Sequence, residues 1–192
     1  MEQYAFNECT ALPGPVDLHS VSEMGANAFY NCENLTGALD LSNLNVIPNK
    51  AFSYTGIDAV TLSDSLTSIG IWAFLYTNIS DIVFPDTLTS IGNYAFWYAE
   101  NLNGTVKIPD SVTTIGEYAF NNTAVEKFEI GSGIESVNAN AFGENTALQE
   151  IIFDNSQDNV SIIGTLPDSV TVTYTPVSYT HLDVYKRQYL GL

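Results

Sequence analysis

Few side chains in this sequence have the types and spacing that chemistry requires. Asp17 and Asp40 lie between apolar neighbours in two similar segments, VDL and LDL. A retaining glycosidase uses two carboxyl groups about 5 Å apart, and stacked strands lie about 4.8 Å apart. Because any stack of strands with two acids in one column offers this geometry, we favour a solvated face over a glycosidase site.

Histidine and arginine, which serve as general bases and phosphate clamps, are almost missing. His19 is the only histidine before His181, and the only arginine is Arg187. His19 follows Leu18 at the end of an apolar segment, which favours a place in a turn over a catalytic role. The sequence therefore has too few histidines and arginines for Ser-His-Asp chemistry or phosphate binding. We predict no catalytic residues and no enzyme activity.

One segment begins like a calcium loop. Asp154, Ser156 and Asp158 offer oxygen ligands at alternate positions. The glycine expected at the sixth position is missing, and Thr165 stands where a bidentate glutamate belongs. A divergent turn is the better interpretation, and we predict neither a metal nor a cofactor.

The chain has two cysteines, too few for a disulfide framework or a Cys-based zinc site to be read from spacing. Cys9 and Cys32 each lie three residues after a phenylalanine, where other repeats have Thr, Ala or Asn. This pattern indicates a small buried residue. If the protein is exported, the spacing would also permit a disulfide.

Charge excludes one large class of partner. The chain has 22 acidic and 5 basic residues and a formal net charge of -17. Nucleic-acid binding needs clustered lysine and arginine to displace counterions from phosphates, so we expect no nucleic-acid partner. No stretch approaches the roughly 18 apolar residues of a membrane span, so we also expect no direct membrane insertion.

The elements that position these residues are internal repeats. The dipeptide Ala-Phe occurs seven times, and its phenylalanines are 22 to 24 residues apart. They are Phe6, Phe29, Phe52, Phe74, Phe96, Phe120 and Phe142. One unit cannot bury enough apolar surface to fold alone, so the units must stack on one another.

Each unit contains a strand followed by a turn. Apolar residues before the turn alternate as in a strand, for example in Val125-x-x-Phe128-x-Ile130. Proline often ends this strand, as at Pro85 and Pro109. Two sets of glycines recur in register: Gly70, Gly92 and Gly116 predict a corner that needs positive φ or close approach, and Gly14, Gly37 and Gly104 predict bulges.

The unit LNGTVKIPDSVTTIGEYAFNNT, residues 102–123, resembles the BspA-like leucine-rich repeats of bacterial and protist surface proteins, which read LxxIxIPxSVTxIGxxAFxxCxx. The resemblance covers roughly residues 1–153. It implies a mainly β leucine-rich-repeat solenoid of about seven coils of 22–24 residues with little regular helix. It also implies a strand ladder on the concave side and a role in adhesion or host-protein binding.

Three regions are expected along the chain. Residues 1–153 are the repeats, which begin in the middle of a unit as in a fragment, because MEQYAF aligns with IGEYAF. Residues 154–176 are a divergent terminal coil or cap. Residues 177–192 are a non-native tail, since VSYTHLDVYKRQ resembles the translation of two joined sequencing adaptors.

Two surfaces could contact a partner. The first is the exposed mid-strand column, and the second is the group of aromatic residues beside Ala-Phe, which inter-coil packing alone would equally explain. The column comprises Asp17, Asp40, Thr61, Val83, Lys107, Glu129 and Ile152. The aromatic group comprises Trp72, Tyr94 and Tyr118 before Phe, and Tyr54, Tyr76, Trp97 and Tyr98 after it.

Together these features predict a binding module at the cell surface or secreted, with a protein or glycan as ligand. An intracellular structural or interaction scaffold is the alternative, and a glycosidase is a remote third.

Overall fold

The computed structural model describes residues 1–154 and 160–175. It is a mainly β solenoid of about six turns, which is the number of intervals between the seven Ala-Phe pairs. A 3-10 turn at Ala139–Phe142 is the helical structure assigned in the described residues. The predicted solenoid with little helix is therefore confirmed.

Short parallel strands make up two sides of each coil. In chain order they are β1 (Thr36–Leu41), β2 (Val46–Ile47), β3 (Gly56–Leu62), β4 (Ser68–Ile69), β5 (Ser90–Ile91), β6 (Asn103–Ile108), β7 (Thr114–Ile115), β8 (Ala124–Ile130), β9 (Ser136–Asn138), β10 (Glu150–Phe153), β11 (Ser161–Ile163) and β12 (Thr171–Tyr174).

The longer strands form what we call the strand face. β1 pairs with β3, and β6, β8, β10 and β12 form a second parallel ladder. The second side consists of the two-residue strands β2, β4, β5 and β7, and of β9 paired with β11. Parallel pairing follows from the stacking of similar units in one direction.

The third side carries the Ala-Phe pairs and has a backbone that the sequence did not predict. Thirteen non-glycine residues have φ between 52° and 60°, and each lies two residues before or after a repeat phenylalanine. This geometry turns alternate N–H groups toward the next coil. Trp72, Phe74 and Tyr76 thus donate to the carbonyls of Asn93, Ala95 and Trp97 at 2.8–3.0 Å.

The phenylalanine rings form the centre of the core. From Phe6 to Phe120 they stack in one column with centroids 5.1–5.6 Å apart and planes within 15° of parallel. Phe128, from β8, then lies between Phe120 and Phe142, with tilted rings 5.2 and 4.7 Å away. We call this set the phenylalanine column.

The position three residues after Phe is buried in every coil but the first, and most of its residues are polar. The hydroxyls of Thr55, Thr77 and Thr123 donate to the carbonyl three residues earlier, at 2.8–3.2 Å. Cys32 is fully buried, as predicted for this position, and its Sγ donates to the Phe6 carbonyl at 2.9 Å. Cys9 is only partly buried, and both thiols are free. Burial raises the pKa of Cys32.

The two glycine sets serve different purposes. A Cβ on Gly92 would lie 2.7 Å from the backbone of Gly70 and Ile71. The glycines at Gly70, Gly92 and Gly116 are therefore explained by the close approach of two coils and not by positive φ. Gly37 and Gly104 have φ of 83° and 67° and lie at register shifts of their ladders, which confirms two of the predicted bulges.

We expect truncation within the phenylalanine column to cost far more than truncation at its end. Phe74→Ala should lower the free energy of unfolding by about 3–5 kcal/mol, because the ring is fully buried between two stacked neighbours. Phe6→Ala is the control, since Phe6 is 36% exposed and stacks on one side only. Urea denaturation measures both, and equal losses would contradict this account of the core.

A second comparison tests the glycines. Gly92→Ala should destabilise by about 1–3 kcal/mol, because its Cβ can be accommodated only if two coils move apart. Gly104→Asn should change stability by less than about 1 kcal/mol, since a Cβ there meets nothing within 4 Å and asparagine tolerates positive φ. The same denaturation experiment would refute the interpretation if the order were reversed.

Candidate functional site

The predicted mid-strand column is in register wherever strands are assigned. Asp40 is paired with Thr61, and Lys107, Glu129 and Ile152 are successive partners in the second ladder. Thr173 of β12 extends the second ladder.

The two remaining members of the column, Asp17 and Val83, are exposed but lie outside assigned strands. Val83 is 77% exposed, the most of the large exposed hydrophobic side chains in the described residues.

Asp17 and Asp40 both contact His19, which lies in a turn as predicted. Its backbone N–H donates to Asp17 Oδ1 at 3.0 Å, and its Nδ1 lies 3.1 Å from Asp40 Oδ2. Hydrogen bonds from Ser42, more than the contact with His19, hold the pKa of Asp40 below its usual value. A glycosidase acid needs a raised pKa, and the shift at Asp40 is in the opposite direction.

Lysine and glutamate alternate across the second ladder. Lys107 and Lys127 each lie 3.2 Å from a Glu129 oxygen, and Lys127 also lies 3.5 Å from Glu150. Hydrogen bonds from Lys107 and Lys127 lower the pKa of Glu129, and its carboxylate in turn raises the pKa of Lys127. Such solvent-exposed pairs contribute little stability, but they fix the charge pattern of this surface.

The aromatic residues beside Ala-Phe form one continuous group, which we call the aromatic belt. Tyr54, Tyr76 and Tyr98 stack with centroids 5.1 and 4.5 Å apart. On the other side of Ala-Phe, Tyr94 stacks on Tyr118 at 5.0 Å and meets Trp72 edge-on at 6.0 Å.

Trp97 joins the two halves of the belt. Its ring lies 5.1 Å from Tyr94 and 5.0 Å from Tyr98, and its Nε1 donates to Asn121 Oδ1 at 3.0 Å. The belt is therefore a packed unit, because each ring has an aromatic neighbour.

Packing leaves two of the tyrosines partly open to solvent. Tyr54 and Tyr76 are 37% and 42% exposed. Partial desolvation raises the pKa of Tyr76, and the neighbouring Tyr98 and Tyr54 make smaller contributions in the same direction. Its phenol therefore keeps its proton, and its ability to donate a hydrogen bond, to higher pH than a free tyrosine.

One end of the belt is closed by the chain's own lysine. The Lys50 Nζ lies 4.2 Å from the Trp72 ring centroid and 5.8 Å from that of Tyr30, an attractive cation–π arrangement. The buried Trp72 Nε1 has no hydrogen-bond partner in the described residues. The Lys50 ammonium thus lies against the Trp72 ring at this end of the belt.

Sequence reasoning placed these residues correctly along the repeat but missed their backbone conformation. Tyr54, Tyr76 and Tyr98 all have positive φ, which is uncommon for aromatic residues. A signal was present, since Asn31 and Asn122 occupy the same unit position, and asparagine favours this conformation.

No ligand set for a metal ion appears in the described residues, where no group of three or more His, Cys, Asp or Glu side chains could hold one. Asp154 Oδ1 instead accepts a hydrogen bond from Thr175 Oγ1 at 2.7 Å. Ser156 and Asp158 of the calcium-like segment lie outside the described residues, as does the expected tail at 177–192. Within residues 1–154 and 160–175, no helix is both long and apolar enough to cross a membrane.

Comparison with solved structures identifies similar solenoids. A leucine-rich repeat protein of T. pallidum has 26% sequence identity over 82% of this chain and 77% of its own, with a TM-score of 0.66. The pneumococcal vaccine antigen PcpA has 16% identity over 85% of this chain and 62% of its own, with a TM-score of 0.56, and shows similarity of fold alone. No curated protein matches the sequence.

The family described as BspA type leucine rich repeat region matches residues 1–103 and 73–166, with six copies of the repeat. Such repeats are typically non-enzymatic scaffolds for binding. These matches span most of the solenoid, and the chain belongs to the BspA type leucine-rich repeat family.

Proposed function

We propose that this chain is a cell-surface or secreted binding module that holds a protein partner against the aromatic belt. The observation that carries the proposal is a row of stacked tyrosines, Tyr54, Tyr76 and Tyr98, of which Tyr54 and Tyr76 are exposed and Tyr98 is half-buried. Family membership supports a binding role, and the resemblance to surface proteins supports the location.

The belt is preorganised for association. Binding normally loses about 0.5–1.5 kcal/mol for each mobile side chain that becomes fixed. The rings of the belt are already held by their neighbours at 4.5–5.1 Å, so little side-chain entropy is left to lose. Tyrosine also combines apolar area with a hydroxyl, which is why it is common in the centres of protein interfaces.

Ring orientation favours a protein over a glycan. Sugars commonly pack their C–H groups on an open aromatic face. Here both faces of Tyr76 and one face of Tyr94 are covered by stacked rings, although Tyr76 as a whole is exposed. This arrangement suits a surface that offers carbonyl acceptors and apolar side chains together, as a folded protein does.

The chain offers its own template for testing the belt. The triple variant Tyr54→Asn, Tyr76→Asn and Tyr98→Asn should fold, because Asn31 and Asn122 hold the same position with positive φ. Its affinity for purified extracellular matrix glycoproteins, measured by surface plasmon resonance, should fall at least 100-fold, about 2.7 kcal/mol. Each glycoprotein is used before and after enzymatic removal of its glycans, and binding should survive the removal.

Glu144→Asn is the matched control, since Glu144 has positive φ at the same unit position but lies outside the belt. It should leave the affinity unchanged. Equal affinity of the triple variant and the wild type would refute the role of the belt, and binding lost on deglycosylation would refute the protein partner.

Labelling of intact source cells with an antibody to the chain tests the location, and labelling only after lysis would favour an intracellular scaffold.

A further inference from the structure

The strand face is interrupted at residues 82–84, between β3 and β6. Pairing with the neighbouring coils continues as far as Ser80, whose N–H donates to the Asp58 carbonyl and whose carbonyl accepts from Asn103. Beyond it, no hydrogen bond within residues 1–154 and 160–175 joins the backbone of Val83 or Phe84 to another coil. Among the described residues, the backbone of Val83 and Phe84 is therefore unpaired with the neighbouring coils, and the side chain of Val83 is exposed.

Phe84 is the large buried side chain of the interrupted segment. Neighbouring coils have the smaller Leu62 and Ile108 at this position, whereas the Phe84 ring packs edge-on against both Phe96 and Phe120, at 5.9 and 6.4 Å. Ring size alone does not set the interruption, because Phe153 holds the same column position in β10, which is paired on both sides. Val83, directly before it, is left 77% exposed.

A groove of about 770 Å³ lies beside this segment. Its apolar lining includes Val83 and Ile152, two members of the mid-strand column. Its rim includes four carboxylates besides Glu129, namely Asp81, Asp86, Asp110 and Asp154. The groove is on the strand face and is lined by none of the residues of the aromatic belt.

The charge of the groove is strongly one-sided. Lys107 is its one basic lining residue among the described residues, and its ammonium is already paired with Glu129. Some of the four aspartates accept hydrogen bonds from neighbours, as Asp154 does from Thr175, but none of them forms a salt bridge within residues 1–154 and 160–175. A ligand with positive charge would therefore meet a field that the described residues do not neutralise.

We propose that this groove binds an extended, lysine- or arginine-containing segment of a protein partner, which adds to the strand face at residues 82–84. The unpaired backbone there can hydrogen-bond an extended peptide, as sheet edges do in β-strand addition. Alternate side chains of such a peptide point to opposite sides. One set would contact Val83 and Ile152, and cationic side chains would reach the aspartates of the rim.

A synthetic peptide tests this chemistry directly. A fluorescein-labelled peptide of alternating lysine and valine should bind the full chain in a fluorescence anisotropy titration, and more weakly as salt is raised. Replacing its lysines with glutamates, or methylating alternate backbone nitrogens, should each weaken binding at least ten-fold. Equal binding of either modified peptide would overturn the proposal, and so would displacement of the peptide by spermine at matched charge.

Variants of the chain locate the site. Val83→Lys should weaken peptide binding at least ten-fold and should fold, because Lys107 holds the same column position in the next coil. Asp86→Asn combined with Asp154→Asn should have a similar effect. Asp64→Asn is the matched control, since Asp64 holds the position of Asp86 one coil earlier but does not line the groove.

The belt variant Tyr54→Asn, Tyr76→Asn, Tyr98→Asn should leave peptide binding unchanged, which separates failure at one surface from failure at the other. Unchanged affinity in Val83→Lys would show that the peptide binds elsewhere and would overturn the proposal.

Discussion

Stacking of one phenylalanine per coil is the interaction on which the rest of the structure depends. The rings lie 5.1–5.6 Å apart, close to the spacing of about 4.8 Å that hydrogen-bonded strands require. Core packing and backbone pairing therefore demand nearly the same rise per coil. Gly92 can approach the preceding coil so closely only because ring stacking and strand pairing require nearly the same rise. The polar columns on the surface have that rise as well.

Regularity made much of the fold predictable. The Ala-Phe spacing located the core, and the mid-strand register placed Lys107, Glu129 and Ile152 side by side, as the ladder shows. Two features escaped prediction because they depend on contacts between coils. Phe84 and Phe128 occupy ordinary apolar positions in the sequence, yet Phe84 packs edge-on against two rings of the phenylalanine column and Phe128 enters that column.

The candidate surfaces were also predictable to different degrees, because some of their features depend on contacts between coils. Membership of the aromatic belt followed from unit position alone, since equivalent residues must be neighbours in a stack. The orientation of the belt's rings could not be predicted from unit position. The backbone of Tyr54, Tyr76 and Tyr98 is left-handed, and this conformation is set by hydrogen bonds to the next coil. The groove could not be predicted from the repeats, because it lies where the pairing between coils is interrupted, at residues 82–84.

The left-handed positions around each Ala-Phe have an evolutionary consequence. Asparagine, tyrosine, tryptophan, lysine and glutamate all occur there with nearly the same φ, so the backbone is held by the coil and not by the side chain. Substitutions at these positions alter what the molecule displays while the ring stack beneath stays intact. An exposed protein built in this way can change its antigenic appearance one residue at a time without a new fold.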